Sequence, residues 1–294
     1  MRATVDDFIA YLKSERGMSA NTLAAYRSDL AQFITFAGRR GVTSWNVPPS
    51  LVHEYLTHLI EREYQSSSQA RKLAAVKALF RHLHAQGEVP TDPTAGLGGT
   101  RVKKRRPRVI TPSEVERLLE QPAAERSPEM ARDRAMLELL YATGMRVSEL
   151  VALELGDIAP DLTSVTLARQ GARQRTVPLT ERAHSAVRSY IVDQRGKILR
   201  RQDEPAVFLN HRGNRLTRQG FWLIIKGHAK RAGIAVTITP HTLRHSFATH
   251  RLRAQGSVRE VQELLGHASI ATTQIYAELA REGIGDESTA SAAR

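Results

Sequence analysis

The sequence predicts a mainly helical chain with one small antiparallel β-sheet, divided into two domains. Three observations carry that reading. The chain has 294 residues, 41% of them hydrophobic, which is enough for two cores of ordinary size. Apolar residues recur at the helical period over most of its length, and one short stretch alternates as strands do. Between residues 88 and 108 a stretch rich in proline, glycine and basic residues carries no period at all, which marks a linker.

The elements follow in order. Over residues 4–16, Val5, Phe8, Ile9 and Leu12 fall at i, i+3, i+4 and i+7, one apolar stripe on a helix. A second helix starts after Ser19-Ala-Asn-Thr22, with Ser19 or Asn21 as its N-cap and Leu23, Leu30, Phe33 and Ile34 on or near its buried side. Pro48-Pro49 introduces a third, from about 50 to 62. The fourth begins near Ser67, carries Leu73, Val76, Leu79, Phe80 and Leu83, and stops near Gly87. Thr111-Pro-Ser-Glu114 opens the second domain with a capping box and a proline in the first turn, so helices are expected at about 112–121 and 128–142. Residues 161–168 and 175–179 read as strands joined through a turn at Gln170-Gly171. Helices return at about 180–198, 217–232, 241–254 and 257–265, with a last short one at 276–282. The domains are therefore expected at 1–87 and 109–294, joined by the basic linker 88–108.

Composition narrows the partner. The chain holds 43 Lys and Arg against 30 Asp and Glu, a net charge of +13. Most of the excess lies after residue 100, and six basic residues crowd into Arg101–Arg108. That balance favours a polyanion, either nucleic acid or an anionic membrane. No apolar run is long enough for a membrane span. The N-terminus carries acids where a secretory leader would be basic, so the expected location is cytoplasmic, and a DNA partner would place the chain with the nucleoid. There is no cysteine, which removes disulfides and thiolate metal sites.

Four segments stand out for chemistry: Ala142-Thr-Gly-Met-Arg146-Val-Ser-Glu-Leu150, Pro240-His241-Thr-Leu-Arg244-His-Ser-Phe-Ala-Thr249, Leu264-Leu-Gly-His267 and Thr272-Thr-Gln-Ile-Tyr276. Singly each has a bland reading: an ion-paired arginine, a histidine at a helix start, a C-terminal cap, a core tyrosine. Guanidinium forks are nonetheless the side chains best matched to phosphate, being planar, bidentate and permanently cationic. A tyrosine hydroxyl can take over a phosphoryl group as a covalent intermediate.

The ordered set of Arg, then His-x-x-Arg, then Leu-Gly-His, then Tyr nine residues on, resembles the tyrosine recombinases of the phage-integrase superfamily. Likeness extends through Ser19–Leu30, Ser68–Val76, Asp92-Pro-Thr94 and Val177-Pro-Leu179, and is closest to the Xer branch. The resemblance implies an N-terminal helical, SAM-like core-binding domain and an α+β catalytic domain that clamp duplex DNA, the linker tracking the backbone between them. It implies a site-specific recombinase that cuts and rejoins duplex DNA through a 3′-phosphotyrosine, in chromosome-dimer resolution or in integration and excision of a mobile element. Tyr276 would be the nucleophile, Arg146 and Arg244 the phosphate-binding arginines, and His241 and His267 hydrogen-bonding or proton-handling groups. Glu149 would orient the site. Asn21, Thr22, Arg27, Arg71, Lys72, Lys103, Lys104, Arg105 and Arg106 would contact DNA. No metal or other cofactor is implied. The partners implied are a specific recombination site and other protomers, of the same or a second recombinase, in a tetramer on two DNA sites.

One departure stands out. Where the family carries a lysine in the β-hairpin turn, understood to protonate the departing 5′ oxygen, this chain has Gln170. An amide cannot supply that proton. The substitution keeps a second reading in play, a DNA-binding accessory protein of the same fold with weakened or absent catalysis. A type IB topoisomerase would share the Arg, His and Tyr set but not the N-terminal segments.

Overall fold

The computed structural model describes residues 1–98, 106–124, 127–169 and 172–282. The chain divides into two compact units, Met1–Arg105 and Arg106–Arg294.

The described residues of the first unit form four helices: α1 (Arg2–Ser14), α2 (Ala20–Gly38), α3 (Pro49–Glu61) and α4 (Ser66–Ala85). The stripe expected on α1 is its buried face, Val5, Phe8, Ile9 and Leu12. Ser19 caps α2, its hydroxyl accepting from the Thr22 amide. Proline at the first turn starts α3, and Gly87, in the left-handed region at φ 73°, follows the end of α4. Phe33 packs edge-on against Tyr55 and Phe80 at the centre of the core. Residues 88–98, expected within the linker, lie against this unit. Val89 and Leu97 join its core, Asp92 folds the chain back by accepting from the amide and hydroxyl of Thr94, and Lys77 donates to the Leu97 carbonyl.

The second unit runs α5 (Pro112–Glu120), α6 (Pro128–Thr143), α7 (Val147–Ala152), β1 (Ser164–Arg169), β2 (Ala172–Pro178), α8 (Glu181–Arg188), α9 (Arg195–Ile198), α10 (Arg218–Arg231), α11 (Pro240–Arg253), α12 (Val258–Leu265) and α13 (Ile270–Glu282). Thr111 and Glu114 form the expected capping box on α5. α6 is the centre of the core, with Ala135, Met136, Leu137, Leu139 and Leu140 all inaccessible. Charges on the buried faces of such a helix need partners. Asp133 accepts from Arg132 and pairs with His228, and Glu138 pairs with Arg182. The strands pair antiparallel with Val165 opposite Val177.

Three elements differ from expectation. The helix expected at 180–198 is α8, a π turn over Ser189–Gln194, and α9. The wider turn seats Tyr190 fully inside, stacked on Phe208, with its hydroxyl accepting from the Leu209 amide. α7 falls within none of the helix ranges read from the sequence. The last helix begins at Ile270 rather than at 276, so Tyr276 sits mid-helix.

Candidate active site

Two glycines set the geometry. Gly144 ends α6 at φ 59°, and a Cβ there would run into the Phe247 ring. The tight exit lets the Gly144 carbonyl face α11 and makes Arg146 the N-cap of α7. Gly266 ends α12 at φ 61°. A Cβ there would meet the Arg175 guanidinium at 2.8 Å, so the glycine admits that side chain.

The carbonyls at the end of α12 then gather three arginines. Leu264 O accepts from Arg175 Nε at 3.0 Å, and Leu265 O from Arg244 Nη2 at 2.7 Å and Arg146 Nη1 at 3.4 Å. Gly266 O accepts from Arg146 Nη2 at 3.4 Å, and Gly144 O from Arg244 Nη1 at 2.5 Å. A helix C-terminus carries partial negative charge and unpaired carbonyls, which is why cations collect there. Glu149 adds a full charge. It accepts from both terminal nitrogens of Arg175, from Arg146 Nη1 and from the Arg146 amide. Arg146 is half-buried and its side-chain bonds are long, so it retains donors for an anion. Burial, then repulsion from Arg146, lowers the Arg244 pKa to about 10, which leaves it charged at neutral pH.

His267 follows Gly266 directly. Arginine only donates, so His267 Nε2 accepts from Arg244 Nη2 at 3.2 Å, and Nδ1 carries the proton it gives to Thr273 Oγ1 at 2.9 Å. Burial, Arg244, Arg146 and Arg175 lower its pKa to about 4, so the ring is neutral at pH 7. Tyr276 on α13 is buried, and its hydroxyl lies 2.7 Å from His245 Nδ1. Burial raises the phenol's pKa against the opposing pull of Arg244 and Arg146. Its ring is stacked 6.2 Å from that of His267.

The structure thus brings Arg146, Arg244, His267 and Tyr276 together. His241 is exposed at the start of α11, its ring 6.2 Å from that of His245. Gln170 lies outside the described residues. Two participants were not singled out from the sequence. Arg175 reads there as an ordinary strand residue, and His245 stands inside a quoted motif with no role attached.

The residues expected to contact DNA are placed as follows. Asn21 is exposed and Thr22 half-buried in the first turn of α2. Arg27 is exposed and paired with Asp6. Arg71 is exposed but held by buried Asp29 at 2.5 Å. Lys72 is buried, its ammonium taken up by Asp29 at 3.0 Å and Gln32 at 2.6 Å. Its charge is therefore spent inside the unit, because a buried ammonium must be paired. Arg106 is exposed and paired with Glu282. Lys103, Lys104 and Arg105 lie outside the described residues.

An arginine tray beside a phenol and neutral imidazoles can hold a phosphodiester and attack it. Comparison with known proteins agrees with that class of chemistry. Residues 108–282 match the Phage integrase family, and residues 5–87 match the Phage integrase, N-terminal SAM-like domain. The chain is 48% identical to tyrosine recombinase XerC of Herpetosiphon aurantiacus, over 96% of this chain and 92% of that one. It is 42% identical to tyrosine recombinase XerD of Halalkalibacterium halodurans, over 96% and 95%. The fold is shared with a lambda integrase tetramer crystallised on a Holliday junction, at a TM-score of 0.70 and 21% identity, covering 93% of this chain and 76% of that one. The chain belongs to the phage integrase family. Among its described residues no helix is long and apolar enough to cross a membrane.

Proposed function

We propose that this chain is a site-specific tyrosine recombinase that cuts and rejoins duplex DNA through a 3′-phosphotyrosine at Tyr276. The observation that carries the reading is the gathering of Arg146, Arg244 and His267 around the end of α12, with the Tyr276 ring stacked on that of His267. In this reading the nonbridging oxygens of the scissile phosphate sit on Arg146 and Arg244, where charge builds up in the transition state. His241 completes the hydrogen bonding to that phosphate, and His267 steadies the Arg244 guanidinium that holds it. Tyr276 oxygen bonds to phosphorus, the 5′ oxygen departs, and the phosphotyrosine conserves the energy for rejoining. Residues 1–87 with the packed segment 88–98 form the core-binding domain, the basic run up to 108 the linker and 109–294 the catalytic domain. Asn21, Thr22, Arg27, Arg71 and the run from Lys103 to Arg106 line the DNA. Lys72 supports them by neutralising part of Asp29, which leaves Arg71 donors to spare. Further protomers complete the assembly on two DNA sites; the lambda integrase neighbour is a tetramer bound to a Holliday junction.

The test is covalent capture. A site is selected from randomised nicked duplexes by its retention on denaturing gels, since the nick lets the short 5′ fragment escape and traps the adduct. Tyr276→Phe should abolish the adduct and leave DNA affinity within a few-fold, because phosphate contacts and not the hydroxyl supply affinity. An adduct persisting in Tyr276→Phe, or mapping to another residue, overturns the assignment.

A further inference from the structure

His245 follows Arg244 on α11 but serves a different atom. Its Nδ1 lies 2.7 Å from the Tyr276 hydroxyl, with the two rings 5.4 Å apart. The other two site histidines are less suited to that hydroxyl. His267 has both ring nitrogens engaged, by Thr273 and by Arg244. His241 is exposed and reaches the site through its stacking on His245. We infer that His245 is the group that accepts the proton of Tyr276 as the tyrosine attacks, and returns it when the strand is rejoined. The inference rests on reading Tyr276 as the nucleophile.

The step balances simply. The phenol O–H bond breaks as the O–P bond forms, and the proton passes to the Nδ1 lone pair, which places the ring's own proton on Nε2. The P–O5′ bond breaks with its electron pair on the 5′ oxygen, which takes a proton from water. Rejoining reverses each movement. The titratable groups facing His245 are His241 and Arg244 from α11, Tyr276 from α13 and His267 from the turn between α12 and α13. Burial, then His241 and Arg244, push the His245 pKa down to about 4, so the ring is neutral and its lone pair free at pH 7. Full transfer is uphill in the unliganded site, where the phenol's pKa is raised. A phosphodiester seated on Arg146 and Arg244 cancels charge that depresses the imidazole. Transfer in step with O–P bond formation also avoids a free phenoxide.

The experiment uses the full chain and two nicked duplexes, one ordinary and one with sulfur at the bridging 5′ position, whose leaving group needs no proton. His245→Asn keeps a polar atom near Nδ1 that can hold the hydroxyl but cannot take its proton. His245→Ala removes both functions. Both variants should lose about 10²–10⁴ in the single-turnover rate of adduct formation, while DNA affinity stays within a few-fold. The loss should be equal on the sulfur duplex, because the defect lies at the nucleophile. The rate for His245→Asn should climb about tenfold per pH unit above neutrality as hydroxide replaces the missing base, with wild type flatter. Asn cleaving within about threefold of wild type would reduce His245 to a positioning residue and overturn the inference. A loss abolished by sulfur would assign it to the leaving group instead and overturn it equally. A wild-type adduct mapped to Tyr276 keeps the two readings apart. Its absence removes both, whereas its presence beside an unimpaired Asn variant removes this one alone.

Discussion

Glu149 accepts from both terminal guanidinium nitrogens of Arg175, each at 3.0 Å, and so fixes the hairpin strand β2 to the first turn of α7. Both side chains are largely buried, at 6% and 14% exposure. Burial alone would raise the Glu149 pKa, but the bonds from Arg175 and the Arg146 amide, with both positive charges, hold it below the usual carboxylate range.

Glu149→Gln should therefore destabilise the protein by about 2–4 kcal/mol at pH 7, because it leaves buried guanidiniums without their counter-charge. The sign of the pH dependence follows from the depressed value. The stabilisation is complete above the ordinary carboxylate pKa and is lost as pH falls through the lower folded one. Urea denaturation of both proteins at pH 7 and again below about pH 4 should show the gap narrowing in acid. A gap that widened in acid would mean that Glu149 is held protonated.

Gly144→Ala drives a methyl into the Phe247 ring at a φ that L residues avoid. The combined strain and overpacking should cost roughly 2–4 kcal/mol. Because the Gly144 carbonyl anchors Arg244, the rate of adduct formation should fall further than the melting temperature alone explains. A variant as stable and as fast as wild type would mean that the turn relaxes at little cost.

Neutralising Lys103, Lys104, Arg105 and Arg106 to Gln should weaken DNA binding and flatten its salt dependence. Every phosphate that the variant no longer neutralises takes about 0.9 from the slope of log K against log salt. Titrations at several salt concentrations measure this directly. An unchanged slope would identify the run as a solvated linker.

Gln170→Lys places an ammonium where the resemblance leads one to expect a lysine. If the 5′ oxygen leaves unassisted in the wild type, the substitution should speed cleavage by up to ~10²–10⁴ on the oxygen duplex. It should change little on the bridging-sulfur duplex. Affinity should rise only by about one phosphate's worth of charge neutralisation. Equal and fast cleavage of the oxygen duplex by both proteins would show that another residue already supplies the proton, whereas slow cleavage of both duplexes by both would favour the accessory-protein reading.

Much of this was legible in the sequence, and the exceptions have physical causes. The stripe on α1 and the box at Thr111 announce themselves because periodicity and capping are local physics. Arg146, Arg244, His267 and Tyr276 were found through motif order, which stands in for a meeting that no local rule predicts. α7 gains no bounds from the sequence because six residues are too few to display a 3.6-residue period. The first turn of α13, Ile270-Ala-Thr-Thr, has weak helix propensity, and burial of Thr273 and Tyr276 holds it helical. Lys72 looked like a surface cation because nothing in its own helix reveals Asp29, 43 residues away. The partnership of Glu149 with Arg175 spans 26 residues, and that of His245 with Tyr276 spans 31. Such pairs exist only once the fold has closed.

The end of α12 has one more consequence. Leu264, Leu265 and Gly266 hold the arginines by their carbonyls, and α13 with its tyrosine begins only four residues after Gly266. Part of the receptor and the start of the nucleophile's helix therefore hang from one short turn. A shift of that turn would carry the carbonyls beneath the guanidiniums and the start of the tyrosine's helix together. Amide exchange at Gly266 and His267, which bond back to Glu263 and Gln262, would read that movement from a single place.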